Sequence, residues 1–217
     1  MEIAKLHYIS QGKTPKEHIQ NIKNVCESGV KWVQLRLKNE SPPTILKTTL
    51  IAKSICEAYG VKLILNDYLE IAKELDVDGV HLGKEDSCPL LARKLLGPEK
   101  IIGGTANTKK DCRGLIDKGV NYIGLGPFRY TETKKSLSPI LGIDGYHNII
   151  VALRLKKHNI PIIAIGGILQ TDLNLLKETG VYGVAMSGWL TNTANLEEKI
   201  NTIHARMRKK IPMNYAK

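Results

Sequence analysis

The stretch WVQLRLKNESPPTILKTTLIAKSICEAYGVKLILN, residues 32–66, decides the fold. It opens on a short apolar run, Trp32–Arg36, and closes on a second one, Lys62–Asn66. Between them Ser41-Pro42-Pro43 opens a helix, because proline is tolerated in the first turn, where its missing N–H costs nothing. Ile45, Leu46, Thr49 and Leu50 then recur at helical spacing and are expected to face inward. Gly60 falls just past that periodicity, where a left-handed residue ends a helix. The stretch therefore reads strand, helix, strand.

The same alternation runs the length of the chain. Apolar runs occur at Leu6–Ser10, Trp32–Arg36, Lys62–Asn66, Gly79–Leu82, Ile101–Gly103, Tyr122–Leu125, Pro161–Ile165 and Gly183–Met186, the fifth being the weakest. Helical segments separate them. Thr14 and Pro15 open the first, with Ile19, Ile22, Val25 and Cys26 on one face, and Gly29, Gly119 and Gly180 follow later periodic stretches as Gly60 does. Strands alternating with helices form a parallel sheet. Eight cycles in 217 residues, with no linker or low-complexity tract, point to one α/β domain over residues 1–217, a closed (β/α)8 TIM barrel. An open dinucleotide-binding sheet would carry GxGxxG after its first strand, and here that exit reads Ser10-Gln11-Gly12-Lys13.

Composition narrows the function classes. Hydrophobic residues are 42% and charged residues 24%, an ordinary globular balance. Aromatics are 5%, with a single Phe, so the core is expected to be mostly aliphatic and a base-stacking platform for single-stranded nucleic acid is disfavoured. No apolar run approaches the ~18 residues of a membrane span, and the start MEIAKLHYIS lacks a signal-peptide core. Cys26, Cys56, Cys88 and Cys112 form no CxxC pair, which reads as reduced thiols in a cytoplasmic protein. The formal charge of +11 suggests a polyanionic partner, while the basic end Arg206, Arg208, Lys209, Lys210 reads as a solvated helix terminus.

In a TIM barrel the chemistry sits at the C-terminal strand ends. In strand two, alternation puts Gln34, Arg36 and Lys38 on one face and Val33, Leu35 and Leu37 on the other. Helices cover the outside of a barrel strand, so the polar face is the inner one, and two inward cations call for an anion. The alternative is a solvated strand exit. Asp67 follows strand three and Asp86 follows strand four. Two such carboxylates suit Mg²⁺ shared with a substrate phosphate, or they are ordinary turn aspartates. His81 reads as a packed strand residue. A long loop rich in hydroxyls and cations, Gly124–Lys135, follows strand six. Gly166-Gly167 and Ser187-Gly188 end strands seven and eight, where this fold often cradles phosphate in backbone N–H groups, although plain glycine turns would look the same.

Taken together, these pieces resemble the thiamine-phosphate synthase family. They are QLRLK at 34–38, ND at 66–67, DGVHLGKED at 78–86, GLGPFRYTETK at 124–134, LG at 141–142, IPIIAIGGI at 160–168 and GVAMSG at 183–188. The resemblance implies a transferase that joins an aminopyrimidine-methyl diphosphate to a thiazole phosphate, free or carboxylated, and releases pyrophosphate with Mg²⁺ as cofactor. It implies that the segment Gln34, Leu35, Arg36, Leu37, Lys38, with Asn66, Thr105 and Lys134, holds the diphosphate substrate. Arg36, Lys38 and Lys134 would be catalytic and Asp67 and Asp86 would hold the metal. Thr131, Glu132, Thr133, Gly167, Ser187 and Gly188 would hold the thiazole phosphate. The family's dissociative chemistry needs charge neutralisation and positioning rather than a protein nucleophile.

Some positions depart from the family pattern. Thr105 stands where serine is usual, Leu37 where glutamate is frequent, Glu132 where proline is usual, and Arg129-Tyr130 where the pair is more apolar. A thiazole tautomerase-like paralogue is the alternative on the same fold. Its pattern has a histidine in the loop after strand five and lacks the full TxTK, whereas this chain has Asn107 there and keeps Thr131, Thr133 and Lys134. A non-catalytic phosphate- or nucleic-acid-binding module is the second alternative. It would spread its cations over an outer face, whereas the informative cations here converge on strand ends. The expected partners are small phosphorylated substrates, not nucleic acid or membrane, and a homo-oligomer is compatible with everything above.

Overall fold

A computed structural model describes residues 2–130 and 139–208. The strands are β1 (Leu6–Ile9), β2 (Trp32–Leu35), β3 (Lys62–Asn66), β4 (Gly79–Leu82), β5 (Ile101–Ala106), β6 (Tyr122–Leu125), β7 (Ile162–Ile165) and β8 (Gly183–Met186). All pair in parallel with their sequence neighbours, and β8 pairs with β1 to close the barrel. The helices are α1 (Pro15–Glu27), α2 (Pro42–Ala58), α3 (Leu69–Glu74), α4 (Pro89–Leu96), α5 (Lys109–Asp117), α6 (Gly142–Arg154), α7 (Leu173–Glu178), α8 (Gly188–Thr191) and α9 (Leu196–Arg208), with a 3-10 turn at Gln170–Asp172 before α7.

Local chemistry places these boundaries. Thr14 accepts the Glu17 N–H at 3.2 Å ahead of Pro15, and Ser41 accepts the Thr44 N–H at 3.4 Å ahead of Pro42. A capping box of Thr108 and Asp111 opens α5. Gly29, Gly60, Gly119 and Gly180 all take positive φ just past helix ends, as their spacing predicts. The α2 face differs from the sequence reading. Ile45 and Thr49 are buried, but Leu50 is 53% exposed and Thr48 occupies an inward position instead. Thr48 and Thr49 can be buried because each hydroxyl donates to the carbonyl four residues back, at 2.7 Å. Ile101–Gly103, the weakest run in the sequence, lies in the longest strand, β5.

The core has two layers. Aliphatic side chains fill the space between barrel and helices, among them Leu6, Val33, Leu35, Leu37, Leu63, Leu65 and Val80. The barrel interior is largely aliphatic as well, with Ile9, Ile64, Ile101 and Ile163, and it also holds one aromatic group. There Trp32 stacks on His7 with centroids 4.3 Å apart, and Tyr122 meets both edge-on at 5.6 and 5.1 Å. Gly103 makes this possible, because a Cβ on it would overlap the Tyr122 ring. Two of the chain's eleven aromatics, Trp32 and Tyr122, thus lie inside the barrel beside His7.

Candidate active site at the C-terminal mouth of the barrel

Strand alternation carries Gln34 into the barrel, where it is 4% exposed and its Nε2 donates to Asn66 Oδ1 at 2.8 Å. The strand proper stops at Leu35, so Arg36 and Lys38 leave on the loop beyond it. Leu35 and Leu37 bury their side chains between barrel and helices, so only their main chain is available to the mouth. Arg36 is half-buried. Burial lowers the proton affinity of its guanidinium and nearby Asp67 opposes that shift, so the group carries a desolvation cost that an anion would offset.

Asp67 follows β3 in the left-handed region, φ +70°, with its N–H donating to His81 O at 3.0 Å. Its carboxylate pairs with Lys38 Nζ. Asp86 accepts the Gly83 N–H at 2.6 Å. Burial, and then contact with the Asp67 carboxyl, raises the affinity of Asp86 for a proton. The structure therefore brings Lys38, Asp67 and Asp86 together, with Arg36 close enough to Asp67 to feel its charge. Two half-buried carboxylates in contact fit a divalent cation. Among the described residues no group of three or more His, Cys, Asp or Glu side chains could hold a metal. The pair thus suits a hard cation that takes its remaining ligands from water and substrate.

Thr105 lies at the end of β5, its Oγ1 2.9 Å from His81 Nε2, while His81 Nδ1 lies 2.9 Å from the Tyr122 hydroxyl. Burial drives the Tyr122 phenol well above its ordinary pKa, so it stays protonated. His81 is accordingly a packed, hydrogen-bonded strand residue, as the sequence suggests. Asn107 donates through Nδ2 to Gly126 O and ties the β5 and β6 exits together.

On the opposite side, the register pairs Ile165 with Ala185 at the ends of β7 and β8, so Gly167 and Ser187 leave from adjacent strand exits. Gly167 sits at φ +66°, where a side chain is strained, and a Cβ would overlap Arg129 Cγ. Arg129 clamps this corner. Its guanidinium donates to both Asp172 oxygens at 2.7 and 2.8 Å and to Gly167 O at 2.8 Å. Thr131, Glu132, Thr133 and Lys134 lie outside the described residues.

Gln11 is absent from the sequence-derived site. Its Oε1 accepts the Ser187 hydroxyl at 3.2 Å, and a Cβ on Gly188 would come within 2.9 Å of the same oxygen. The signal was available, since Gln11 is a polar residue just past β1. That exit was read only for a dinucleotide motif.

With this geometry in view, comparison with known proteins is informative. The family model described as thiamine monophosphate synthase matches residues 6–190. The thiamine-phosphate synthase of Flavobacterium johnsoniae is 44% identical over 203 residues, 94% of this chain and 96% of that protein. The thiamine-phosphate synthase of Bacteroides fragilis is 42% identical over 198 residues, 91% of this chain and 97% of that one. The solved thiamine phosphate pyrophosphorylase from Pyrococcus furiosus superposes with TM-score 0.79 at 23% identity, over 94% of this chain and 95% of that one, which is a likeness of fold. The barrel, its mouth and these matches together make the chain a transferase belonging to the thiamine monophosphate synthase family.

Proposed function

We propose that the enzyme condenses an aminopyrimidine-methyl diphosphate with a thiazole phosphate, free or carboxylated, to give thiamine phosphate and pyrophosphate by a dissociative substitution, with carbon dioxide also released where the carboxylated form is used. One observation carries the substrate assignment. The half-buried Arg36 and the Lys38 ammonium stand beside the paired carboxylates of Asp67 and Asp86 at one side of the mouth. Cations and carboxylates in one place suit a diphosphate that arrives with a divalent cation.

In this reading the Gln34 and Asn66 amides, already aligned with each other, face the pyrimidine. Arg36, Lys38 and Lys134 hold the diphosphate oxygens. Asp67 and Asp86 would hold Mg²⁺, which supplies further neutralisation of charge on the leaving group. The methylene C–O bond breaks and its electron pair leaves with pyrophosphate. The thiazole nitrogen lone pair then forms the new C–N bond to the methylene carbon. Thr105, held by His81, is placed to donate to the diphosphate. Gly167, Ser187 and Gly188, with Thr131, Glu132 and Thr133, orient the thiazole phosphate.

Asn107 weighs against the tautomerase alternative. The side chain at that position is an amide engaged with Gly126 O rather than an imidazole able to move a proton. Among the described residues no helix is long and apolar enough to cross a membrane. None of the four cysteines is in a disulfide, which supports work in a reducing cytoplasm on small phosphorylated substrates. The test is incubation of both substrates with Mg²⁺ and detection of thiamine phosphate and pyrophosphate in equal amounts. Absence of product with either form of the thiazole would refute the assignment.

A further inference from the structure

The corner between β1 and α1 holds two polar side chains that the chemistry above leaves unused. Ser10, just past β1, is 4% exposed, and His18, in the first turns of α1, is 8% exposed. Ser10 Oγ lies 2.8 Å from His18 Nδ1. The same oxygen accepts the Arg36 N–H at 3.0 Å. The Ser10 N–H donates to Gln34 O at 2.9 Å. The β1 exit therefore grips the β2 exit at two points, and both belong to residues assigned to the pyrimidine diphosphate.

A hydroxyl has one proton and two lone pairs. Accepting the Arg36 N–H uses one lone pair and leaves the proton to be placed. His18 Nδ1 can take it only when that nitrogen is unprotonated. Burial lowers the proton affinity of His18; contact with the Gly12 main chain and the charges of Glu17 and Glu40 oppose this, while Arg36 adds to it. The neutral ring is thus favoured, and with its proton on Nε2 it takes the Ser10 hydroxyl proton at Nδ1. Ser10 is not arranged as a nucleophile. It is buried, and its oxygen is committed to a main-chain N–H.

We propose that His18 and Ser10 are positioning residues for the diphosphate substrate: through Ser10, His18 fixes the main chain at Arg36 and with it the direction from which the guanidinium enters the mouth. The proposal rests on the reading of Arg36 as a diphosphate ligand. An anchored main chain lets a long side chain meet its anion with less ordering left to do on binding.

The test uses inorganic pyrophosphate with Mg²⁺, and thiazole phosphate separately, in calorimetric titrations of Ser10→Ala, His18→Leu, His18→Asn and Arg36→Ala, with thermal unfolding of each variant. Ser10→Ala and His18→Leu are expected to weaken pyrophosphate binding about tenfold, the scale of a buried donor left without its partner. Thiazole phosphate affinity should stay near wild type, and KM for the diphosphate should rise more than kcat falls. His18→Asn, whose amide places an acceptor near the Nδ1 position, should recover most of the loss. If Arg36→Ala loses pyrophosphate affinity while Ser10→Ala and His18→Leu keep it, the positioning role is overturned and the diphosphate reading stands. If Arg36→Ala itself binds pyrophosphate like wild type, that reading fails first. Equal loss of both ligands with a lowered unfolding temperature would reduce the pair to plain structure and also overturn the proposal. Should His18→Leu fail to fold, Ser10→Ala decides.

Discussion

Replacing Arg129 with methionine should damage the thiazole phosphate side of the mouth and leave the diphosphate side intact. Asp172 is 8% exposed and, besides Arg129, accepts the Leu169 N–H at 2.8 Å. Removing one partner of a fully buried ion pair costs about 3–5 kcal/mol. An exposed pair is worth about 0–1 kcal/mol. Here the carboxylate side chain is 11% exposed and the guanidinium side chain 41%, so the pair lies between those limits. The Leu169 N–H also remains to Asp172 after the change. A loss of about 2 kcal/mol follows, which for a chain of this length lowers Tm by about 4–8 °C.

The functional effect comes through Gly167. Arg129 supports the Gly167 carbonyl directly, and the main chain around it is stitched to the β6 exit by Phe128 N–H to Ile165 O at 2.9 Å and Arg129 N–H to Gly166 O at 3.1 Å. Without the guanidinium the glycine turn loses its outer support, and thiazole phosphate affinity should fall several-fold while pyrophosphate affinity holds. Asp172→Asn keeps an acceptor for Arg129 and should show a smaller version of both effects. Gly167→Ala should resemble Arg129→Met, because its Cβ meets Arg129 before it meets any ligand, and φ +66° adds strain of about 1 kcal/mol. Calorimetry with each ligand and thermal unfolding measure all of this. An Arg129→Met enzyme with wild-type Tm and wild-type thiazole phosphate affinity would refute the clamp.

Three other perturbations are decided by the same geometry. Asp86→Asn should cut turnover about a hundredfold or more with the fold kept, because one of the two carboxylates proposed to hold Mg²⁺ is lost. Near-normal turnover at limiting Mg²⁺ would remove Asp86 from that role. Arg36→Ala should lose about 2–4 kcal/mol of transition-state stabilisation. Arg36→Lys should recover little of it in kcat/KM, since a point charge does not replace a planar fork. Burial on the barrel axis pushes the His7 imidazole down to about 3 from its ordinary 6.5. The unfolded chain therefore takes up a proton below about pH 6.5 that the folded chain refuses until about pH 3, so stability is full above that window and falls as pH drops through it. His7→Phe should flatten the dependence of unfolding free energy on pH between those limits by up to about 5 kcal/mol. An unchanged slope would show that His7 is protonated in the fold.

The barrel was legible because it repeats. One strand-helix-strand reading over residues 32–66 recurs along the chain, and parity along a strand suffices to turn Gln34 inward and Val33 outward. The polar residues at the strand ends stand out for the same reason, since each exit is a local string with unusual polar residues. The supports behind those residues were not, because they are relations between strands. His7, Trp32 and Tyr122 come from β1, β2 and β6, and Gly103 acquires meaning only when the register sets it opposite Tyr122. Leu50 was misplaced because helical spacing does not say which edge of the apolar face a threonine can occupy once its hydroxyl bonds back along the helix.

Arg129 shows most clearly what a linear reading misses. In sequence it is a departure from the family pattern, a cation in a loop expected to be more apolar and next to a phosphate site, so an anion-binding role suggests itself. In the structure its three donor contacts all go to protein, two to Asp172 and one to Gly167 O, across a separation of 38 to 43 residues. Three of its five N–H donors are committed in this way, so the group serves first as a clamp within the protein. The charge of +11 is therefore a poor guide to where anions bind. Arg36, at the β2 exit beside Asp67, differs from Arg129 in the direction of its shift: burial lowers the proton affinity of Arg36, whereas Asp172 raises that of Arg129.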